Sequence, residues 1–195
     1  MTENLRQHIF SLLPIEQAEW QKLESKLSIC EYRKGEYFSQ KDKPSNTIGF
    51  IISGSFRTFC NDNAGEEITY LLQFENEFLT SFESFLTSLN SKFDIQALEN
   101  STILCLKKDD LEKLYKNSQF WEKFGRLIAE KMYLQTQNRY QDLLLENGEY
   151  RYLKLLNKCP NIFTRVPQYY IASLIGVRPQ SLSRIRKNIQ TKSRN

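Results

Sequence analysis

Val166-Pro-Gln-Tyr-Tyr-Ile-Ala-Ser-Leu-Ile-Gly-Val-Arg-Pro-Gln-Ser-Leu-Ser-Arg-Ile-Arg-Lys-Asn-Ile189 reads as two short helices joined by a tight turn. Pro167 suits the first turn of a helix, where a missing N–H is tolerated. Ile171 and Ile175 are four apart and share a face, and Ala172 is small enough to let a second helix approach. Gly176 stands where the turn needs a left-handed backbone. Pro179 opens the second helix with Arg178 at its N-cap, and Val177, Leu182 and Ile185 supply its buried side. Together these positions spell a helix-turn-helix.

The opposite face of the second helix is polar. Gln180, Arg184 and Lys187 are spaced i, i+4, i+7, with Arg178 and Ser181 at the N-terminal edge. Gln can bond adenine and Arg guanine in bidentate fashion, while Ser, Lys and a helix N-terminus suit phosphates. Such a face is what a recognition helix in a major groove requires. Ser, Thr, Asp or Asn at position 178 would stabilise the helix start by ~1 kcal/mol, so an Arg there fits a ligand-facing role.

Charge around the motif points the same way. The 195-residue chain carries 27 Lys+Arg and 23 Asp+Glu, a net of +4. From Tyr150 to Asn195 there are ten basic residues and no acidic one, so residues 1–149 hold 17 basic against 23 acidic. A body of −6 joined to a tail of +10 is the asymmetry expected of a nucleic-acid or anionic-surface partner.

Upstream, a helical period runs from about Gln119 to Glu146 without Pro. Phe124, Leu127, Ile128, Met132, Leu134, Leu144 and Leu145 form its apolar set. Glu122, Lys123, Arg126, Glu130, Lys131, Arg139 and Asp142 form an outer, sign-alternating set. At 1.5 Å per residue this helix is about 40 Å long, more than a small domain needs, so packing against a symmetry mate is expected. Before it, Asp109 or Asp110 can cap a short helix carrying Leu111, Leu114 and Tyr115.

From Ile29 to Leu106 the pattern is short strands and turns: Glu31–Phe38 around a Lys-Gly turn, Ile48–Gly54, Ser55–Phe59, a hairpin signal at Asn61–Gly65, Glu67–Leu72, Phe93–Leu98 and Thr102–Leu106. This spacing predicts a β-sandwich or barrel. Gly35, Gly49, Gly54 and Gly65 are expected at turns that favour positive φ. The N-terminal Leu5, Ile9, Leu12 and Leu13 mark a short amphipathic helix carrying His8 as a surface or packing residue.

Several classes are excluded or disfavoured. Cys30, Cys60, Cys105 and Cys159 are scattered, so zinc and iron–sulfur sites are not expected and the thiols read as reduced. A single His leaves no imidazole cluster and no triad, and no P-loop or GxGxxG occurs. A cupin-type enzyme would need His within the strands, and Ile29 to Leu106 has none. No apolar run approaches 18 residues, and Met1–Asn4 has no signal-peptide character, so a cytoplasmic protein is expected. No enzyme activity, metal or cofactor is expected.

The whole pattern resembles the Crp/Fnr, or catabolite activator-like, family of bacterial transcription regulators. The resemblance runs from about Leu5 to Ile189 and is carried most specifically by Arg33-Lys-Gly-Glu-Tyr-Phe38, by Phe50-Ile-Ile-Ser-Gly-Ser-Phe-Arg57 with Gly65 after it, and by Ile171–Val177 through Ser183-Arg-Ile185. It implies an α+β fold. Residues 1–116 would be a cyclic-nucleotide-binding-like β-roll, a double-stranded β-helix. Residues 117–146 would be the dimerisation helix and 147–195 the helix-turn-helix domain. It puts Gln180 and Arg184 on base-contacting positions and Ser181 on a phosphate-contacting one.

One stretch departs from the family. Cyclic-AMP-binding members carry a Gly-Glu pair and then Arg-Ser, where Arg neutralises the cyclic phosphate and Glu takes the ribose hydroxyl. Here Phe78–Asp94 has no Gly-Glu pair and no Arg, and Glu83 and Lys92 are the charges in its middle. A lysine cannot reproduce a bidentate clamp, so cyclic AMP is not expected, and Glu83, Ser84 and Lys92 remain as candidate residues for an unknown small-molecule effector. The cysteine cluster of the oxygen-sensing branch is absent, and one His hardly supplies haem ligands. No Gly-containing wing follows the recognition helix, so DNA contact is expected from the helix, its flanks and Thr191–Asn195. The expected partners are a palindromic double-stranded operator and a second copy of the chain, with no membrane. The competing reading is a small-molecule sensor that acts through protein partners without DNA.

Overall fold

The computed structural model describes residues 2–192. Two helices, α1 (Thr2–Leu12) and α2 (Gln17–Glu24), precede eight strands: β1 (Ser28–Tyr32), β2 (Tyr37–Ser39), β3 (Thr47–Ser53), β4 (Phe56–Asn61), β5 (Glu67–Gln73), β6 (Phe78–Leu79), β7 (Asp94–Ala97) and β8 (Ser101–Lys107). A short helix, α3 (Phe82–Thr87), lies between β6 and β7. Then follow α4 (Lys108–Asn117), α5 (Gln119–Leu145), α6 (Gly148–Lys158), α7 (Ile162–Arg165), α8 (Gln168–Leu174) and α9 (Pro179–Lys192).

The strands form two antiparallel four-stranded sheets, ordered β1-β8-β3-β6 and β2-β7-β4-β5. Ile51, Phe56, Leu79, Ile95, Ala97, Ile103 and Cys105 fill the space between them. The outer face of the first sheet is also buried. Phe50, Leu104 and Leu106 pack there against Leu5 and Ile9 of α1, Trp20 and Leu23 of α2, Leu111 and Leu114 of α4, and Trp121 and Phe124 of α5. Burial on both faces explains why β3 and β8 are unbroken apolar runs, since alternate residues serve different cores. His8 takes part in this outer core, edge-on to Phe50 and Phe78 with ring centroids 5.4 and 5.5 Å away. Burial, and then the Lys131 charge, hold its pKa below the ordinary 6.5 against the opposing pull of Glu77.

The outer face of the second sheet is covered by α8, and Leu72 and Leu98 join a third core with Tyr152, Ile162, Val166, Ile171, Ala172, Leu174, Ile175 and Leu182. Helices, sheet, sheet and the C-terminal helices are therefore stacked in that order.

Some local expectations are corrected. Gly35, Gly54 and Gly65 do have positive φ, but Gly49 does not and lies inside β3. A Cβ at Gly49 would press on Ile103 at 3.0 Å and Phe38 at 3.3 Å, so close packing and not a turn requires glycine. The residue capping α4 is Lys107, and Asp109 and Asp110 lie within the first turn, where their charge favours the helix dipole. In α5, Arg139 and Asp142 face the chain's own C-terminal helices instead of solvent, while Leu134, Leu144 and Leu145 are exposed. No helix among the described residues is long and apolar enough to cross a membrane.

Candidate nucleic-acid interface

The turn between α8 and α9 is closed by its own backbone. Gly176 has φ +69°, its N–H donates to the Ser173 carbonyl at 3.0 Å, and the Val177 N–H donates to the Ala172 carbonyl at 3.0 Å. This pair of bonds is the Schellman arrangement, and the left-handed residue it needs is glycine. Pro167 is the N-cap of α8 and not its first helical residue. Ile171, Ala172 and Leu182 are fully enclosed where the two helices cross. The carbonyl of Arg178 accepts the Leu182 N–H at 3.1 Å, so Arg178 precedes α9 in the N-cap position.

Arg178 before α9, and Gln180, Arg184 and Lys187 on it, are all exposed, and their side chains bond to no other described residue. Ser181 is half-buried beside them. Buried polar groups in folded chains are nearly always bonded, whereas the donors and acceptors of this exposed cluster are left to solvent. Residues 193–195, the end of the proposed Thr191–Asn195 contact, lie outside the described residues.

Other cations of the basic tail have internal work. Arg151 donates from Nε to the Ile175 carbonyl at 2.7 Å, and from Nη1 to the Asp142 and Glu146 carbonyls, so it caps α8 and α5 at once. Arg139, from α5, donates to the Leu174 carbonyl at 3.0 Å and lies 5.7 Å from the Tyr70 ring. Lys154 pairs with Asp142 at 2.6 Å and Lys158 with Glu77 at 2.9 Å. Arg186 lies 3.9 Å over the Phe163 ring and donates to Gln168 Oε1 at 3.0 Å, while Gln168 Nε2 donates to Ser183 Oγ at 2.7 Å. Sequence reading did not assign the Gln168–Ser183–Arg186 link. The spacing of Gln168 from α9 becomes visible only once the turn is folded.

The C-terminal helices also grip the sheet. Arg57 of β4 is almost fully buried between the rings of Phe59 and Tyr170, 3.8 Å from each, and is bonded to Gln96 Oε1 and paired with Glu67 at 2.5 Å. From the other side, Arg165 forks onto Glu75 at 2.7 Å and Glu99 at 2.6 Å. Burial pushes the Glu75 carboxyl up. Its bonds from Arg165 and from backbone amides, Gly54 among them, reverse this and leave it below the ordinary 4.5. The Thr69 N–H of β5 donates to Ser173 Oγ of α8 at 2.9 Å.

In the candidate effector stretch, Glu83 and Lys92 meet in an exposed ion pair of 2.6 Å. Ser84 is not with them: it is 1% exposed, donates to the Leu89 carbonyl at 2.5 Å and accepts the Ser45 N–H at 2.9 Å. The hydroxyls of Ser81 and Ser91 bond to each other at 2.7 Å, and Ser91 Oγ also donates to the Phe93 carbonyl. Hydroxyl bonds thus shape this segment where cyclic-AMP-binding members of the resembled family place charged ligand contacts. Among the described residues no group of three or more His, Cys, Asp or Glu could hold a metal ion.

Residues 29–118 match the cyclic nucleotide-binding domain family. No curated protein shows a significant sequence match to the chain. Among solved structures it resembles FixK2 from Bradyrhizobium japonicum, with TM-score 0.73, 14% identity and 86% of each chain covered. It also resembles CLP, the c-di-GMP responsive global regulator of Xanthomonas campestris, with TM-score 0.69, 15% identity, and 91% of this chain and 93% of that chain covered. A third is a crp/fnr family regulator from Eubacterium rectale, with TM-score 0.70, 14% identity and coverage of 91% and 85%. The chain has the α+β fold of these regulators, with a cyclic nucleotide-binding domain ahead of a long helix and a helix-turn-helix.

Proposed function

We propose that this chain of the Crp/Fnr type is a dimeric, sequence-specific DNA-binding transcription regulator that works in the cytoplasm. The observation that carries the reading is the unpartnered polar face of α9, held on a rigid helix-turn-helix in a fold shared with known regulators. Gln180 and Arg184 read base edges, and Arg178, Ser181 and Lys187 hold phosphates. Residues 1–116 act as the sensor, 117–146 as the dimer helix and 147–195 as the DNA-binding domain.

Dimerisation is supported by α5. Tyr133, Tyr140 and Leu144 are 66%, 63% and 64% exposed, and with Gln137 they repeat at alternating steps of four and three. That repeat is the seam of a coiled coil, and a second copy of α5 is its natural occupant. Two recognition helices would then fall about one DNA turn apart, ~34 Å, which calls for a palindromic operator.

The effector, if the sensor takes one, is not cyclic AMP, because Lys92 is already paired with Glu83 and no arginine stands beside it. A gel shift on the DNA upstream of the protein's own reading frame tests the function. Arg184→Ala is expected to weaken specific binding by ~1–3 kcal/mol and to relax preference at one base pair of each half-site. Unchanged affinity and preference would reject the proposed readout. A thermal shift with cyclic AMP is expected to be flat.

A further inference from the structure

We infer that Arg57 and Arg165 are positioning residues of the DNA interface: by pinning α8 to the sensor sheets they fix the angle of the recognition helix to the dimer helix, and so set the half-site spacing the protein accepts. This rests on the DNA-binding reading above and adds the residues that govern its geometry.

The joint is reciprocal. The sensor sends Arg57 into the C-terminal helices, where Tyr170 closes one face of its guanidinium. The C-terminal helices send Arg165 into the sensor, where two carboxylates meet it. Both acceptors are themselves held: Glu75 Oε1 takes the Gly54 N–H at 2.9 Å, and Glu99 Oε1 takes the Ser55 hydroxyl at 2.7 Å. Gly54 has φ +100°, and a Cβ there would collide with Ser101, so the turn carrying these donors is packed directly against β8 and only glycine fits it. Arg165 is thus clamped by groups that cannot follow it if it moves. A planar guanidinium forked between two carboxylates fixes direction as well as distance.

The path from the joint to the DNA face is short. Arg165 ends α7, and three residues later Gln168 bonds both Ser183 and Arg186 of α9. Tyr170 holds the middle of α8 on Arg57, and Ser173 holds its end on the Thr69 amide. The last carbonyl of α8 receives Arg139 from α5, the proposed dimer helix. The first helix of the motif is therefore tied before its start, along its length and at its end, and α9 follows it through the turn at Gly176, the Gln168 bonds and their shared core. A palindrome is read by two such helices at a fixed separation, so rigidity here becomes selectivity for spacing.

The test uses the full chain carrying Glu75→Gln with Glu99→Gln, and separately Arg165→Gln and Arg165→Lys. Glutamine keeps a carbonyl oxygen for Gly54 and Ser55 while removing the charge that holds Arg165. Binding is measured to a single half-site duplex and to palindromes whose central spacer is lengthened or shortened by single base pairs. The wild type is expected to prefer one spacer by about tenfold or more, and the glutamine variants to flatten this to about threefold or less with half-site affinity within about twofold. Arg165→Lys, which keeps charge without the fork, should fall between. Hydrogen exchange at the Thr69 amide, measured without DNA, should quicken about tenfold or more in the glutamine variants. Variants that keep the wild-type spacer preference overturn the positioning role, and unchanged protection at Thr69 overturns the joint. A wild-type chain that binds no duplex would sink the DNA reading and the positioning role with it, a failure visible before any variant is made, while the Thr69 exchange still judges the joint.

Discussion

The segment from Ser81 to Asp94 and the stretch from Arg178 to Lys192 are both rich in polar side chains, and they treat them in opposite ways. In the first, Glu83 and Lys92 pair with each other, and Ser81, Ser84 and Ser91 satisfy neighbouring hydroxyls and backbone. In the second, Arg178, Gln180, Arg184 and Lys187 bond to no other described residue. A side chain held by its own fold has already exchanged its water contacts, so a ligand must break a bond to gain one. Side chains that remain solvated on a rigid helix are free to bond a partner at no such cost. The first segment is thus internally closed, and the polar face of α9 is open.

The largest effect should come from removing the scaffold under the open face. Leu182 is fully buried between α8 and α9, and Leu182→Ala should cost ~2–5 kcal/mol and abolish operator binding. Chemical denaturation followed by tryptophan fluorescence and circular dichroism checks this, and a wild-type transition would show that α9 does not depend on that core.

Next comes the open face itself. Lys187→Ala should weaken binding to all duplexes about equally and lower the slope of log affinity against log salt by about 1. A variant that changed sequence preference and left the slope alone would move Lys187 from phosphate to base contact.

Smaller still is a proton effect in the outer core, at His8. His8 has a folded pKa below 6.5, so the unfolded chain binds the proton more readily. The contribution of a neutral His8 is present above pH 6.5 and is lost as pH falls through that value towards its depressed folded pKa. Melting at about pH 7.5 and about pH 5.5 should show a larger drop for the wild type than for His8→Gln. Equal drops would assign the acid sensitivity to carboxylates such as Glu75.

The smallest effect is expected in the closed segment. Glu83 and Lys92 are 55% and 69% exposed at their side chains, so Lys92→Ala should change stability by about 0–1 kcal/mol and leave operator affinity within about twofold. A large loss of DNA affinity would reveal that this surface pair reaches α9 after all.

Much of the fold was legible because it rests on local chemistry. The strands of the roll, the two-residue β6 excepted, were readable from apolar runs and turn residues, and the α8–α9 turn from Ile171, Ala172, Gly176 and Pro179. That Gln180, Arg184 and Lys187 share one exposed face was legible, since i, i+4 and i+7 spacing decides which side chains lie together. The inward turn of Arg139 and Asp142 was not legible. A charged residue on a long helix looks the same whether it meets water or a backbone carbonyl from 35 residues away. Gly49 was misread for the same reason, because its crowding comes from Ile103 and Phe38, on other strands.

Periodicity, turn chemistry and the uneven charge of the chain determined the order of its parts: helices, β-roll, long helix, helix-turn-helix and basic tail. These depend on backbone propensities and on which residues face together, both local properties of the chain. The tertiary structure alone decided what each charge does. Among the tail's cations, Arg151, Lys154, Lys158, Arg165 and Arg186 were drawn into bonds within the protein, and Arg178, Arg184 and Lys187 were left exposed at the start and along the outer face of α9. Coulombic and hydrogen-bonding partners are chosen by distance in space, and no count of residues along the chain contains that distance.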